Sequence, residues 1–489
     1  MLDLLLTLGV APVAWALLML MLAPTRDADR FGAGGALAAL VGSCVLFNRV
    51  YSGGAVLGWG GNLRADLLSA GTLLLTSTIF CLASVYAGAY LEAEAAKGHL
   101  PAGWRLFYWP LTFLFYAAMV WTCTADNLGI LWVSLELTTL VTLPLICLAR
   151  ERRGLEAAWK YFVLCSVGIA FALIGTIALY ASSLRIQSGG TGSLNWSYLL
   201  AHAAQLDPLF VRLAFVFTVV GYGCKMGLVP MHCWLPDAHS EAPTPVSALL
   251  SGVLLNCAAY ALLRVSAVAA RSMGPDRVEP TLLAFGLASV VMASFFIVVQ
   301  TDLKRLLAYS SIEHMGIVAI GLGLGTAGLY GALLHAINHA VAKALLFLAA
   351  GQTVHWSGTK QIPRIQGVLR TGRPTGLALG AASLAIVGLP PFSLFLSEFL
   401  VIRAAFLSGH VLAGVALVGA LGLTFAGFMS HLIPVLCGER PRGLGELRET
   451  RGATTAFVVL GILCLSLGLR VPLVLDRVLH TCIAALAWS

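Results

Sequence analysis

Four ionisable side chains stand inside long apolar stretches of this sequence. They are Glu136 in LGILWVSLELTTLVTL, Lys225 in FTVVGYGCKMGLVP, Lys343 in HAINHAVAKALLFLAAG and Glu398 in LPPFSLFLSEFLVI. At the centre of a bilayer each would cost at least about 2.5–3.5 kcal/mol, so such residues usually face a polar cavity or a partner and carry function. A structural ion pair that only holds helices together is the alternative.

A second group follows the spacing of one helix face. His335, His339 and Lys343 lie at i, i+4 and i+8, which places them on one stripe of a helix. Histidine gains and loses a proton near neutral pH, so this stripe predicts a proton or ion relay. Two histidines at this spacing could also bind a metal ion, or simply pack. No carboxylate or cysteine accompanies them on the helix, and we therefore expect no metal.

Proline marks two of the same stretches. Pro230 follows Lys225 by five residues, and Pro390 and Pro391 come shortly before Glu398. A proline inside a helix removes a backbone donor and breaks the helix, and interrupted membrane helices are typical of transporters built from repeats. We predict helix breaks beside Lys225 and Glu398, with an ordinary packing kink as the alternative.

Hydropathy predicts the helices that would hold these residues. Apolar residues make up 59% of the 489 residues, charged residues make up 11%, and mean hydropathy is +0.89, whereas soluble domains are about one quarter charged. Runs of about 20 apolar residues, long enough to cross about 30 Å of hydrocarbon, recur from end to end. The sequence predicts an all-α polytopic membrane protein with no separate soluble domain. We expect spans at residues 2–22, 33–48, 67–90, 108–124, 127–149, 160–182, 209–231, 245–263, 280–300, 307–325, 329–351, 374–402, 411–436 and 453–472.

The basic residues orient these fourteen spans. Most of the 30 Lys and Arg fall in odd-numbered loops, including the clusters at residues 150–160, 360–373 and 440–442. Because Lys and Arg concentrate in cytoplasmic loops, we predict that both termini face the outer side of the cell's inner (cytoplasmic) membrane. The formal charge of +8 is thus mostly a topology signal and gives little support for nucleic-acid binding.

Two patterns argue against bound cofactors. The eleven cysteines form no C-x-x-C pair, so iron–sulfur clusters and structural zinc are not expected. Gly323, Gly325 and Gly328 satisfy G-x-G-x-x-G, but no strand precedes them and no acidic residue follows about 20 residues on. Tight helix packing and a short turn are the better interpretation. We expect no cofactor in this chain.

Two longer motifs carry a resemblance to a known family. The segments KMGLVPMHCWLPDAHSEAPTPVSALLSG (225–252) and QTDLKRLLAYSSIEHMG (300–316) resemble signatures of the antiporter-like proton-translocating subunits. Such subunits occur in respiratory complex I, Mrp-type cation/proton antiporters and membrane-bound group 4 hydrogenases. The resemblance covers roughly residues 60–440. HWSGTKQIPRIQGV, LPPFSLFLSEFL and Asn256 make the chain most similar to the F-type subunit of hydrogenase-4 and formate hydrogenlyase-like complexes.

The resemblance implies a fold and a role for each ionisable residue. The fold has two inverted five-helix repeats with broken helices 7 and 12. The implied domains are 1–107 (helices 1–3), 108–270 (first repeat, helices 4–8), 280–436 (second repeat, helices 9–13) and 437–489 (a loop and helix 14). The implied roles are Glu136 as the glutamate of helix five, Lys225 as its partner on helix seven, Lys343 with His335 and His339 as the central relay, and Glu398 as the terminal position on helix twelve.

One position departs from the family pattern. Many complex I members carry a lysine on the eighth helix in a stretch resembling LLNCAAYALLR, where this sequence has Asn256. An amide can hold water but cannot carry the proton, which puts the link between the two half-channels in doubt. His232 and His239, just beyond the break in helix seven, are the candidate substitutes.

The resemblance implies a proton-translocating subunit without catalytic chemistry of its own, in a redox-driven complex of the hydrogenase-4, formate hydrogenlyase or NADH:quinone oxidoreductase type. Its partners would be other membrane subunits, a peripheral redox or catalytic module and the lipid bilayer. Two alternatives stay open. One is an Mrp-type antiporter subunit that exchanges Na⁺ or K⁺ for H⁺. The other is a transport-inactive scaffold that binds a soluble catalytic module, as in carbon-uptake complexes.

Overall fold

Long apolar helices dominate the computed structural model, which describes residues 3–23, 25, 27–186, 193–439, 445, 447 and 449–486. Thirteen helices within these ranges are long and apolar enough to cross a membrane. A further crossing consists of two consecutive shorter helices, Arg373–Ile386 and Ser393–Leu407, on either side of a break. The predicted all-α polytopic class is confirmed.

The N-terminal part contains six long helices and one feature that hydropathy did not predict. A short antiparallel hairpin, β1 (Val56–Gly58) and β2 (Leu63–Ala65), lies between the second and third helices. Asp3 caps the first helix by accepting a hydrogen bond from Leu5 N. The helices are α1 (Leu4–Leu22), α2 (Ala28–Gly53), α3 (Leu67–Ala96), α4 (Trp104–Thr124), α5 (Leu128–Ile146) and α6 (Arg152–Ser183).

The seventh span is broken where the sequence predicts a break. Its first half ends at Met226, and not at residue 231, because Gly227 takes a left-handed conformation (φ +82°) that ends the helix before Pro230. The eighth span, Thr244–Met273, contains a π-helical turn at Leu250–Leu254. The helices of this part are α7 (Trp196–Ala201), α8 (Pro208–Met226), α9 (Trp234–Glu241), α10 (Thr244–Leu249) and α11 (Leu255–Met273).

The second predicted break is also present: it lies between Ile386 and Ser393 and divides the predicted span 374–402 into two helices. The predicted short turn at the glycine motif is also present, since one helix ends at Gly323 and the next begins at Gly325. The helices are α12 (Glu279–Val298), α13 (Leu303–Gly323), α14 (Gly325–Ser357), α15 (Val368–Thr371), α16 (Arg373–Ile386), α17 (Ser393–Leu407), α18 (Val411–Cys437), α19 (Arg451–Leu469) and α20 (Leu473–Leu486).

The helices α5 and α13 begin in the same way. The N-cap residue of α5, Asn127, forms an isolated antiparallel bridge with Asn195, in the loop after the next helix. The N-cap residue of α13, Asp302, forms the same kind of bridge with Gln361. The fifth and tenth spans therefore begin with the same kind of backbone bridge, which agrees with a repeat of five helices. The residue boundaries of the four domains stay a prediction.

Burial separates central from peripheral helices. In the most apolar part of Thr244–Met273 every residue is buried, and the corresponding share is 94% in α13 and 83% in α14, against 28% in α1 and in α19. The outer helices therefore expose apolar side chains to lipid, while α10, α11, α13 and α14 are enclosed by protein. Ionisable groups on these enclosed helices avoid contact with lipid tails.

Candidate functional site

Lys225 lies in the last turn of α8, directly before the break. Its side chain is fully buried, and Nζ donates a hydrogen bond of 2.9 Å to Thr138 Oγ1 on α5. The same nitrogen lies 5.6 Å from the centre of the Tyr161 ring on α6. The carbonyl end of a helix carries partial negative charge, which favours a cation there. The helix break thus helps to accommodate this lysine inside the membrane.

Glu136 approaches the same region from α5. Its Oε1 accepts a hydrogen bond from Ser166 Oγ (2.7 Å) and its Oε2 accepts one from Thr139 Oγ1 (3.1 Å). Among the described residues, the ion pairs within 4.0 Å do not include Glu136 with Lys225. Thr138, the partner of Lys225, and Thr139, the partner of Glu136, are consecutive residues of α5, so each charged side chain is hydrogen-bonded to a neighbouring hydroxyl group. The predicted pair is separated in this conformation.

Lys343 on α14 is held by uncharged groups as well. Its Nζ donates to the carbonyl of Leu307 at 2.7 Å and to Ser310 Oγ, both on α13. Glu313, one turn beyond Ser310 on the same helix, is fully buried, and neither of its carboxylate oxygens has a hydrogen-bond partner among the described residues. A buried acid and a buried amine therefore occupy neighbouring helices without a direct ion pair among the described contacts.

A chain of imidazoles and a hydroxyl connects α13, α14 and α17. His314 Nδ1 lies 3.0 Å from His335 Nε2, and His335 Nδ1 lies 3.0 Å from Ser397 Oγ. His314 Nδ1 is also 4.0 Å from Glu398 Oε1. The ring of His339 lies 5.5 Å from that of His314, and both its nitrogens lack a partner. His314, His335 and Ser397 thus form a continuous hydrogen-bonded segment, which is the arrangement a relay needs, and His339 and Glu398 lie next to it.

Glu398 reaches back to the break in the twelfth span. A Cβ atom placed on Gly388, which has φ +67°, would lie 1.9 Å from Glu398 Oε2. The glycine is therefore required twice, by its left-handed backbone and by the space that the carboxylate fills. Glu398 is 5% exposed, so it lies inside the protein and not at an interface. Its carboxylate points toward the N-terminal end of α17, where a negative charge is favoured.

Asn256 sits where α11 meets α14. Its Nδ2 donates to Gly252 O (3.1 Å) in the π-helical turn and to Ala336 O (2.9 Å), next to His335. Its Oδ1 is buried without a partner. The amide thus connects the eighth span to the relay helix by a hydrogen bond to the backbone. Turns of π-helix inside α-helices are frequent at functional sites.

Of the two proposed substitutes for the missing lysine, His239 lies against the second half. It is fully buried on α9, its ring centre lies 5.5 Å from that of Phe347 on α14, and both of its nitrogens lack a partner. Phe347 is one helical turn from Lys343. His232 lies in the break before α9, beside the exposed Cys233. The transport roles of both histidines stay predictions.

A polar cavity of about 380 Å³ lies beside the end of α9 and the start of α10. Its walls include Glu94, His99 and Lys304. Lys304 Nζ donates to Ala242 O (2.8 Å), and Lys360 pairs with Glu241 (2.9 Å). The cavity has polar side chains in its walls and is lined by Ser240, the neighbour of His239 on α9.

Three of the buried donors could in principle hold a metal ion. One atom each of His314, His335 and Glu398 lies within 4.8 Å of the others. The carboxylate that is missing from the α14 stripe comes from α17, and a third histidine comes from α13. The two histidine nitrogens are 3.0 Å apart and hydrogen-bonded to each other. The absence of a bound metal stays a prediction.

Sequence reasoning missed Glu313 and His314. Both lie in the apolar stretch LLAYSSIEHMGIVAIGLG (306–323), within the second motif that carries the family resemblance. The signal that identified Glu136, an ionisable residue inside an apolar run, applies to them equally. The structure places them opposite His335 and Glu398, so the second half holds more buried ionisable groups than the α14 stripe alone indicated.

Comparison with known proteins gives consistent matches. The family described as "NADH:quinone oxidoreductase/Mrp antiporter, TM" matches residues 125–424. The chain is 40% identical over 380 residues to a hydrogenase-4 component F homolog from Methylacidiphilum infernorum, covering 77% of this chain and 79% of that protein. It is 36% identical over 369 residues to NADH-quinone oxidoreductase subunit N of Desulforudis audaxviator, covering 74% and 70%.

A solved structure has the same fold over nearly the whole chain. The membrane-bound sulfane sulfur reductase, an archaeal respiratory membrane complex, contains a chain that superposes with a TM-score of 0.88 at 22% identity. The superposition covers 99% of this chain and 98% of that one. The two broken spans therefore belong to an architecture that recurs at low sequence identity.

Proposed function

This chain belongs to the NADH:quinone oxidoreductase/Mrp antiporter family, and from that premise we propose that it is a proton-translocating membrane subunit of a redox-driven complex. The complex would be of the hydrogenase-4/formate hydrogenlyase type or of the NADH:quinone oxidoreductase type. The observation that carries the proposal is Lys225, which is fully buried beside a helix break and bound to a hydroxyl, with no carboxylate of the described residues within 4.0 Å of Nζ.

The proposed switch uses the distance between Glu136 and Lys225. A nearby carboxylate stabilises the ammonium form of a buried lysine, and separation in a poorly solvated site favours the neutral amine. Thr138 is hydrogen-bonded to Lys225 and Thr139 to Glu136 in the described conformation, in which the two charged groups form no ion pair within 4.0 Å. Movement of Glu136 toward Lys225 would favour uptake of a proton, and its return would favour release.

The second half would then carry the proton. We assign the relay to Lys343, His339, His335 and His314, with Glu398 as the group that exchanges the proton with the far side. His314, His335 and Ser397 form its hydrogen-bonded part. His239 and Asn256 would connect the halves, with Asn256 holding water and His239 carrying the proton.

The proposal also includes the surroundings of the chain. It would lie in the inner (cytoplasmic) membrane with both termini outside, next to other membrane subunits and a peripheral redox module that supplies the driving force. No metal or other cofactor would be bound by this chain. Redox chemistry in the partners would act on Glu136 and Lys225 through coupled conformational equilibria.

The test compares Lys225→Met with Lys160→Met in the assembled complex, reconstituted in vesicles. Lys160 is an exposed lysine paired with Glu156 and Asp237, so it controls for loss of a positive charge. We expect Lys225→Met to retain electron transfer and lose proton pumping, and Lys160→Met to retain both. Normal pumping by Lys225→Met would contradict the proposal.

Two further outcomes separate the alternatives. Loss of assembly in Lys225→Met would favour a structural role, so Thr138→Val, which removes the hydroxyl acceptor but keeps the shape, should be measured beside it. Proton flux that depends on Na⁺ or K⁺ and needs no redox partner would favour an Mrp-type antiporter. Unchanged complex activity without any transport in the wild type would favour the scaffold.

A further inference from the structure

Two neighbouring cavities have none of the ionisable groups assigned to proton transfer in their described walls. The first, of about 420 Å³, is enclosed by α3, α11, α13, α14, α19 and α20, and its walls are almost entirely apolar. The second, of about 430 Å³, has Asp66, Arg264 and Arg477 in its walls. Leu67 and Val478 line both cavities, so the two lie side by side.

The apolar cavity is too large to be a packing defect. Protein interiors contain few voids larger than a water molecule, which takes up about 30 Å³ in the liquid. A Cβ atom added to Gly71, which lines the cavity, would meet nothing within 4 Å. The cavity also reaches the surface, because Val474 lines it and is 49% exposed. An apolar opening toward the bilayer accepts an apolar occupant.

The second cavity supplies a positive charge at the mouth. Arg264 pairs with Asp66 at 2.7 Å and lies over the rings of Trp196 and Tyr260. Burial opposes ionisation of Asp66, but Arg264 outweighs it and lowers the pKa of Asp66 to about 2, so this pair is neutral overall. Arg477 is exposed, and the described residues place no acidic partner within 4.0 Å of it. The mouth therefore carries a net positive charge.

We propose that the two cavities together bind one anionic phospholipid. An acyl chain fills the apolar cavity, and the phosphate lies at the mouth against Arg477, with the guanidinium of Arg264 behind it. Basic pockets between membrane helices are known places for anionic lipid head groups. A helix of a partner protein does not fit, because a helix is about 10–12 Å wide with its side chains and 420 Å³ would hold only about one turn.

The residues at the inner end of the apolar cavity show where the bound acyl chain would end. Asn256, Ala336 and Tyr260 line the apolar cavity, and Asn256 connects α11 to α14. The end of the acyl chain would therefore lie beside the junction of the two halves. The binding site itself does not depend on whether that junction conducts protons.

The test is native mass spectrometry of the full chain, purified in detergent and incubated with dioleoyl phosphatidylglycerol or dioleoyl phosphatidylcholine. We expect one tightly retained phosphatidylglycerol per chain. In Gly71→Leu the new side chain enters the cavity without a clash, and retention should fall about 10-fold or more, which is about 1.4 kcal/mol. Gly461→Leu is the matched control, because its Cβ atom is equally unobstructed and it lines neither cavity.

A second variant tests the head group. Arg477→Gln should abolish the preference for phosphatidylglycerol over phosphatidylcholine while a lipid is still retained, and the control Arg470→Gln should keep the preference. Equal retention by Gly71→Leu and wild type would overturn the proposal, as would equal retention of the two lipids by wild type. Full competition by glycerol phosphate would also overturn it, because that result would mean an anion site without the acyl chain.

Discussion

The two halves of the molecule have a similar arrangement of helices and differ in the positions of their charged side chains. In both, a backbone bridge holds the start of one helix, at Asn127 and at Asp302, and in both a later span is broken. In the first half, Lys225 lies before the break, at the carbonyl end of α8. In the second half, Glu398 lies after the break, on α17.

The difference follows from helix polarity. A broken helix offers two ends inside the membrane, one with partial negative and one with partial positive charge. A lysine is favoured at the first and a carboxylate at the second, which are the positions of Lys225 and Glu398. A broken helix can therefore stabilise a charge of either sign. A lysine is stabilised at the helix end before the break and a carboxylate at the helix end after it.

The surroundings of the charges differ as well. Hydroxyl groups of Thr138 and Thr139 lie beside the first pair, and Glu136 is only half-buried. In the second half, Glu313 and His314 are completely buried. The first half is thus suited to a switch that an outside event can move, and the second to a sealed relay.

The largest expected effect comes from the second break. Gly388→Ala places a Cβ atom against Glu398 Oε2, so we expect loss of stable complex. A left-handed conformation costs a non-glycine residue about 1–2 kcal/mol, and overpacking a filled site adds about 1–3 kcal/mol. Size-exclusion chromatography after heating provides the measurement.

The matched variant is Gly227→Ala in the first break. Its Cβ atom would clash with Leu235 Cδ1, at 2.5 Å, whereas Leu235 Cγ and Ile312 Cγ1 lie at 3.9 and 4.0 Å, and a side-chain methyl can move. We expect a smaller loss of stability than for Gly388→Ala. Equal losses of stability in the two variants would mean that the contact between Gly388 and Glu398 makes no special contribution to the second break.

A second prediction concerns the carboxylate that sequence reasoning missed. Glu313→Gln keeps the shape of the side chain and breaks no hydrogen bond in the described structure, so assembly should survive. If Glu313 takes part in the relay, pumping should fall about 10-fold or more, corresponding to about 1.4 kcal/mol. Pumping per electron transferred in vesicles is the measurement, and Glu439→Gln, outside the helices, is the control.

A third, smaller effect is expected at the hydroxyl of the relay. Ser397→Ala removes the partner of His335 Nδ1. Because one hydrogen bond contributes about 0.5–1.5 kcal/mol, we expect pumping to fall several-fold with electron transfer retained. Ser408→Ala, which removes a hydroxyl bonded only to backbone carbonyls at the end of the same helix, is the control. An unchanged pumping rate would remove Ser397 from the relay.

The smallest effect is expected at Asp126, beside the backbone bridge between Asn127 and Asn195 at the start of α5. Asp126, between α4 and α5, has its pKa raised by burial, despite hydrogen bonds from Ser197. The folded state then binds more protons than the unfolded state just above the ordinary pKa of aspartate, so stability falls as pH rises through that window. Asp126→Asn should remove this slope, measured as Tm against pH. A slope that persists in the variant would assign it to other groups.

Sequence pattern predicted the breaks and most of the buried groups, and it failed at two kinds of place. The span expected at 209–231 ends at Met226, because Gly227 ends the helix earlier than the proline does. The expectation of no metal rests on the side chains of one helix, α14, whereas His314, His335 and Glu398 come from three helices. In both cases the outcome depends on local backbone geometry or on distant segments, which hydropathy does not report.

The amino-acid sequence by itself determined the membrane class, the two breaks and the presence of costly ionisable residues inside apolar runs. These follow from transfer energies and from proline and glycine backbone chemistry, which act locally along the chain. Only the tertiary structure decided which groups meet. It bound Lys225 and Glu136 to different hydroxyl groups instead of to each other, brought Glu398 to His314, and set Asn256 against the backbone of α14, because contacts between helices depend on packing across hundreds of residues.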